Sequence, residues 1–226
     1  RVTWDLRTPP TQAIGSEGSY FGPELQGFLV APGTYSAELS QRVEGRVTPL
    51  AGPVEVKVER MTQGSLAGAE TERVVAFWER IDTLQRKTTA LAQALPRLQE
   101  RVGQLAQALE RTRSAPAALD TELDAVRRQL YEISRAVNGT PEAEALGHLR
   151  APGLGERLFV AQIGTQFSTY GPTPTQAQSL ELAERAYADV RATWVELAER
   201  RIPAFERALI DAGAPWVPGM PLSILD

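Results

Sequence analysis

The stretch FWERIDTLQRKTTALAQALPRLQERVGQLAQAL, residues 77–109, decides the fold of this chain. Its large side chains recur at alternating steps of four and three residues, the heptad spacing of a helix that packs along one face. These seam positions are Phe77, Ile81, Leu84, Thr88, Leu91, Leu95, Leu98, Val102, Leu105 and Leu109. Pro96 lies inside the pattern and removes one backbone hydrogen bond, so we expect a kink there rather than a break. The sequence therefore predicts one long helix.

A second helix follows with the same spacing. Residues 119–137 repeat the four–three steps and stop at Asn138-Gly139, a pair suited to the left-handed conformation that ends many helices. We interpret Asn138-Gly139-Thr140 as this helix stop rather than as a glycosylation site, since Pro141 comes next. Beyond a linker over 139–153, apolar residues between Leu154 and Tyr170 predict a shorter helix that Gly164 weakens.

The last helix begins with a clear signal. Residues 173–176, Thr-Pro-Thr-Gln, match a capping box with proline at the first helical position. Pro203 is expected to bend this helix near its end, and Gly213 terminates it. Three long helices with matching apolar seams, plus one short helix, predict an antiparallel bundle with an extended tail over residues 67–226.

Residues 1–66 carry a different pattern. Alternating apolar and polar residues separated by proline and glycine predict short antiparallel strands over residues 2–7, 28–30, 34–39, 46–48 and 54–58. Such a set has one apolar face and fills only part of a two-sheet sandwich, which leaves the first strand as an exposed edge. We therefore predict an α+β chain whose β unit lacks partner strands, and we expect these strands upstream of Arg1 in a longer parent chain.

Composition excludes several classes of function. The chain has 24 basic and 28 acidic residues, no cysteine and one histidine, His148. A net charge of −4 argues against a nucleic-acid partner. Thiolate zinc sites, disulfides, cysteine nucleophiles and histidine-based triads are excluded, and no apolar run approaches the ~20 residues of a membrane span. We predict no catalytic, cofactor-binding or metal-binding residue, and we interpret His148 as an ordinary loop residue.

Acidic pairs are the remaining candidates for catalysis, because glycoside hydrolysis uses two facing carboxyl groups. These acids lie largely outside the apolar seams, so we interpret them as solvated helix surface. The candidates are Glu79 with Asp82, Glu181 with Glu184, and the group Asp120, Glu122 and Asp124.

Exposed aromatic residues suggest a separate binding role. Tyr20 and Phe21 in a glycine-rich loop, and Trp216 in the tail, have the chemistry to stack on sugar rings. Packing within the protein is the favoured interpretation for all three, since aromatic side chains pack more often than they bind ligands. Trp78 and Trp194 lie on or beside the seams, and we predict that both anchor the core.

Two motifs carry a family resemblance. Trp4-Asp5-Leu6-Arg7 and Pro32-Gly33-Thr34-Tyr35, together with the Pro-Thr-x-x-Gln helix start within 172–178, resemble the C-terminal region of large bacterial sortilin-like β-propeller proteins with neuraminidase-type repeats, often labelled glycosyl hydrolases. The resemblance covers nearly the whole chain. Val58-Glu59-Arg60 departs from the family's Asp-Pro-Arg ending, and the Ser-x-Asp-x-Gly-x-Thr-Trp propeller signature does not occur.

The resemblance implies a C-terminal module that follows a propeller. Residues 1–66 would form part of an immunoglobulin-like sandwich, with the upstream propeller and sandwich strands of the same parent chain as partners and a secreted, periplasmic or cell-surface location. It carries over no catalytic residue. The leading hypothesis is a non-catalytic interaction or assembly module, which docks a protein partner or self-associates through its helices. The alternatives are a fragment of a glycoside hydrolase with its active site in the propeller, and a carbohydrate-binding module.

Overall fold

The computed structural model describes residues 3–9, 27–61, 68–165 and 168–225 of the chain. Within these ranges a two-stranded antiparallel sheet precedes a set of helices, which is an α+β arrangement. The strands are β1 (Gly33–Val43) and β2 (Arg46–Val58). The helices are α1 (Thr71–Glu110), α2 (Ala117–Asn138), α3 (Pro141–Ala145), α4 (Leu154–Gln162), α5 (Pro174–Trp194) and α6 (Ile202–Asp211), with a π-helical segment (Val195–Arg201) between α5 and α6 and a short 3₁₀ turn at Leu222–Leu225.

The predicted seams form the core of the bundle. All ten seam positions of α1, from Phe77 to Leu109, are buried, and α1 continues through Pro96 without a break. In α2 the predicted seam is likewise buried, at Leu119, Leu123, Val126, Leu130, Ile133 and Val137. Burial of a large aliphatic side chain contributes about 1.5–3 kcal/mol, so these seams supply the main apolar stabilisation. The predicted heptad seams are confirmed for both helices.

Ion pairs between helices report their relative directions. Arg80 and Arg101 of α1 bind Glu184 of α5 and Glu206 of α6, respectively, so α1 runs parallel to α5 and α6. Arg201, at the end of the π-helical segment, binds Glu122 near the start of α2. α2 therefore runs antiparallel to α5 and α6. The long helices α1, α2 and α5 therefore alternate in direction along the chain.

The predicted capping box starts α5. The Thr173 hydroxyl accepts a hydrogen bond from the Gln176 backbone N–H at 3.3 Å, and the Gln176 side chain accepts one from the Thr173 N–H at 2.8 Å. Pro174 occupies the first helical position, where its lack of an N–H removes no helical bond. This start of the helix is confirmed.

The π-helical segment shifts the seam by one residue. Four–three steps from Leu197 would place the next buried positions at residues 201 and 204, but Ile202 and Phe205 are buried and Ala204 is exposed. A π turn spans one residue more than an α turn, so residues 195–201 absorb this extra residue. Pro203, which has no N–H for the α-helical ladder, follows at once, so the residue at which the bend is predicted lies where the helix changes type. The bend itself stays a prediction.

The segment between α2 and α5 differs from the prediction. Gly139 ends α2 with φ +75°, as predicted, but a short helix, α3, lies inside the predicted linker. The predicted helix beyond Leu154 ends at Gln162, because Gly164 adopts φ +81°. Ile163 and Tyr170 are exposed rather than seam positions, and Phe167 lies outside the described residues.

The first predicted strand is wrong over its described part. Residues 3–9 form no strand, and only Arg7 makes an isolated bridge, to Leu29 in the predicted strand 28–30. The reason is a local turn, in which Leu6 takes φ +61°, the Asp5 carboxylate accepts the Arg7 N–H, and the Trp4 indole donates to the Arg7 carbonyl. The alternation of apolar residues here does not mark a sheet.

The predicted strand over 28–30 is wrong as well, since it has only the isolated bridge at Leu29, whereas the strands predicted over 34–39, 46–48 and 54–58 belong to one long hairpin. β1 extends beyond the predicted Leu39 to Val43, and residues 46–48 and 54–58 are parts of the single strand β2. Glu44 and Gly45 both have positive φ, as a tight two-residue hairpin turn requires. Two strands make a ribbon, and the described residues contain no second sheet. The division at residue 66 stays a prediction, because it falls among residues 62–67, outside the described part of the chain.

Candidate interaction surface

The hairpin formed by β1 and β2, residues 33–58, exposes an unusual amount of apolar surface. Almost every residue is exposed to solvent on both faces. The exposed fractions of its large apolar side chains range from 37% to 62%, at Leu39, Val43, Val47, Leu50, Val54 and Val56. These side chains lie on both faces of the hairpin, and exposed apolar patches often mark interaction sites.

One face of the hairpin is defined by the strand register. Tyr35 pairs with Val56 and Ala37 with Val54, and directly paired residues point to the same side of a sheet. With Leu39 they form a row along this side, which we call the apolar face. At the base of this face the Tyr35 ring meets the Trp4 ring edge-on, with the ring centroids 5.3 Å apart. The predicted alignment of Val54, Val56 and Val58 is confirmed.

The two edges of the hairpin differ. β2 contains Pro49 and Pro53, and two register shifts against Ala37–Ser40 place both extra residues in β2. Prolines lack the N–H that a neighbouring strand needs, and bulges bend a strand away from further pairing. β1 contains no proline and no extra residue. Its outer edge is therefore the one suited to accept another strand.

The segment just before the hairpin contacts the bundle through aromatic stacking. Phe28 lies parallel to Trp78 of α1 with ring centroids 5.6 Å apart, and both are buried. The predicted core role of Trp78 is confirmed. Beside this contact lies a cavity of about 310 Å³, bounded by Leu29, Val58 and Val74 among other side chains. Its lining is mainly apolar, and it has no pair of facing carboxyl groups.

A second cleft of about 570 Å³ runs along α1. It is lined by Ala90, Ala94 and Leu98 of α1, and also by Trp194 and Pro218. Trp194 is half-buried and packs partly on the core, so its predicted anchor role holds only in part.

Arg101, one of the residues that line this cleft, forms an ion pair with the buried Glu206. The Arg101 guanidinium donates from Nε to Glu206 Oε1 at 2.6 Å, while the Glu206 side chain is 3% exposed and that of Arg101 26%. Burial raises the pKa of Glu206, and the charge of Arg101 offsets part of that rise. The C-terminal tail covers the pair, with Gly219 against the guanidinium and Met220 buried. No catalytic acid–base partner accompanies Glu206 among the described residues.

The acidic candidates fall on helix surfaces, as predicted, and two of them join helices. Glu184 accepts two hydrogen bonds from Arg80, at 3.0 and 2.6 Å, and these bonds raise the pKa of Arg80. Glu122 accepts two from Arg201, at 2.8 and 3.0 Å, and raises its pKa in the same way. A carboxylate that accepts two hydrogen bonds from an arginine is poorly placed to transfer protons. We therefore interpret these two ion pairs as contacts that stabilise the packing of neighbouring helices.

The other predicted positions are not brought together into a site. Tyr20 and Phe21 lie outside the described residues, so their proposed stacking on sugars stays a prediction. Trp216 is 41% exposed on the tail. His148 is exposed in a turn, as expected. Thr140 is buried and its hydroxyl accepts the Ala151 N–H at 2.9 Å, which fits the helix-stop interpretation of the sequon.

Across the described ranges, no cluster of three or more acidic or histidine side chains has the proximity needed to hold a metal ion. Among the same residues, no helix has both the length and the apolarity for crossing a bilayer.

Comparison with known proteins gives no relative. No family model, no curated protein and no solved structure matches this chain.

Proposed function

We propose that this chain is a non-catalytic interaction and assembly module of a larger extracytoplasmic β-propeller protein, and that the hairpin is its docking element. The observation that supports this is the apolar face of the hairpin, with Leu39 55% and Val54 62% exposed. A two-stranded ribbon is marginally stable in water unless it packs on other structure. The bundle, by contrast, has a continuous buried core of its own.

The proposed partners of the apolar face are upstream strands of the same parent chain. Val54, Val56 and Leu39 would pack against a second sheet and complete an immunoglobulin-like sandwich, whose core is built from inward-facing residues of both sheets. The stacking of Phe28 on Trp78 holds the segment that precedes the hairpin on α1. The bundle would then hold the hairpin in place while the sandwich forms around it.

Cysteine labelling tests this proposal, because the 226-residue chain has no native cysteine. Val54→Cys places a thiol on the apolar face, and Gln99→Cys places one on the exposed side of α1 as a matched control. Both should react readily with a maleimide in the 226-residue chain. In the full-length product of the gene, we expect slowed labelling at residue 54 and unchanged labelling at residue 99, read by peptide mass spectrometry.

Equal labelling rates at residue 54 in the two contexts would refute docking of the apolar face. Glycosidase activity of the 226-residue chain on a panel of fluorogenic glycosides would refute the non-catalytic role. The two results are independent, since one concerns the hairpin and the other concerns chemistry anywhere in the chain.

A further inference from the structure

Among the described residues no strand pairs with the outer edge of β1, which is regular, while the edge of β2 is interrupted by Pro49, Pro53 and two extra residues. A strand that pairs with the hairpin therefore has one suitable edge. This edge is separate from the apolar face, so an occupant of the edge and a sheet packed on the face do not compete for the same atoms.

The charges on β1 are arranged symmetrically about Ser40. Glu38 lies two residues before it and Arg42 two residues after it, and both side chains are exposed. Neither forms an ion pair within the described part of the chain. Across the hairpin Arg42 faces Val47, and Glu38 has no paired residue, so β2 offers no opposite charge to either.

From this symmetry we propose that β1 pairs with β1 of a second copy of this chain, antiparallel and centred on Ser40. In that register Glu38 of each copy lies opposite Arg42 of the other, which gives two equivalent ion pairs on one side of the new four-stranded sheet. On the other side Ala37 lies opposite Val43, and Leu39 lies opposite Gln41. This is an isologous contact, because the same patch serves both copies.

Each element of the pairing has a physical reason. Opposite charges on directly facing residues stabilise antiparallel strands, whereas like charges in the same places destabilise them. Shifting the register by one residue would place Glu38 opposite Gln41 or Val43 of the other copy, so the charges also select the register. Leu39 and Val43, which are 55% and 53% exposed, would lose solvent contact at the same time. The inference rests on the proposed role as an interaction module and names its partner.

Exchange of the charges at residues 38 and 42 tests this pairing, because the double variant should restore the dimer that each single variant loses. We expect the chain to show twice the mass of one copy by size-exclusion chromatography with light scattering at high concentration, and one copy on dilution. Glu38→Arg alone and Arg42→Glu alone should each be monomeric, since each places like charges opposite one another. The double variant E38R/R42E should dimerise again. An equimolar mixture of the two single variants should form a mixed dimer.

A matched control lies on the other strand. Glu55→Lys changes the charge of an exposed residue in β2 by the same amount, and should leave the mass unchanged. Circular dichroism of every variant should match the parent, because the exchanged residues lie outside the core.

Two results would overturn the proposal. One is a parent chain that stays monomeric at all concentrations, and the other is a dimer that persists in both single charge variants, which would place the contact elsewhere, for example on the helices. Either result leaves the labelling test at residue 54 unaffected. Failure of this pairing is thereby distinguishable from failure of the proposed docking function.

Discussion

The buried pair of Arg101 and Glu206 should respond unequally to loss of its two partners. Arg101→Met leaves a carboxyl group 3% exposed without its counter-charge, and we expect a loss of about 3–5 kcal/mol in the free energy of unfolding near neutral pH. Glu206→Gln leaves a guanidinium 26% exposed, which water reaches, and we expect about 1–2 kcal/mol. The double variant R101M/E206Q should be more stable than R101M by about 1–3 kcal/mol.

The loss in the free energy of unfolding caused by Arg101→Met should also depend on pH. Because burial raises the pKa of Glu206, the folded chain retains a proton that the unfolded chain has released at pH values just above the ordinary carboxyl pKa. This contribution to stability is greatest below the ordinary pKa and falls as pH rises through the raised folded value. Arg101→Met removes the charge that opposes the rise, so its loss of stability should be smaller at about pH 5 than at about pH 8.

Urea unfolding followed by circular dichroism measures these differences at both pH values. Arg80→Met is the matched control, since its partner Glu184 is as close but the two side chains are 46% and 36% exposed, and we expect a loss below about 1 kcal/mol. Equal losses for R101M and E206Q, or a loss for R101M that does not change with pH, would refute the reasoning.

Three smaller changes test other features of the bundle. Gly103→Ala should raise the free energy of unfolding by about 1 kcal/mol in urea titrations, because the added methyl group meets open space on an exposed helix position, and an unchanged midpoint would contradict this. Thr88→Val should also stabilise, by about 1 kcal/mol on the same assay, since the buried Thr88 hydroxyl makes no hydrogen bond, whereas a loss would show that it has a partner. Gly219→Ala should lift the tail, because its φ is +93° and the methyl group would collide with the guanidinium of the buried pair. Mild peroxide should then oxidise Met220, which is 3% exposed in the parent, while Met61 at 97% exposed reacts in both and serves as the control. Continued protection of Met220 from oxidation would contradict the prediction that Gly219→Ala displaces the tail.

The helical part was predictable because its signals are local and repeated. Every four–three seam position of α1 and α2 is buried, since a helix can bury one face only when apolar residues recur at that spacing. The capping box at Thr173 and the stop at Gly139 are equally local, as each depends on a few adjacent residues. The π-helical segment escaped prediction, although the eight-residue step from Leu197 to Phe205 is a detectable signal of one extra residue.

The β part was harder because strand pairing depends on distant residues. Alternation at Trp4 and Leu6 resembles a strand, but the Asp5 side chain stabilises a local turn instead. Pro49 and Gly52-Pro53 divided one strand into two in the prediction, whereas bulges accommodate them within β2. The open edge of β1 and the Arg101–Glu206 contact are tertiary features, since the latter joins residues 105 apart in sequence. Composition alone does not show such a pairing.

The π-helical segment determines whether the last helix can lose one residue and keep its apolar side chains in the core. An extra residue in the middle of a packed helix would normally rotate every later side chain by about 100° and move its apolar face away from the core. Here the wider turn contains that rotation within residues 195–201, so Val190 before it and Phe205 after it both reach the interior. Deletion of one residue from this segment should therefore restore an unbroken α-helix with both halves still facing inward. Residues 195–201 thus make the last helix tolerant of a change in length that α1 and α2, each a single continuous ladder, have no means to absorb.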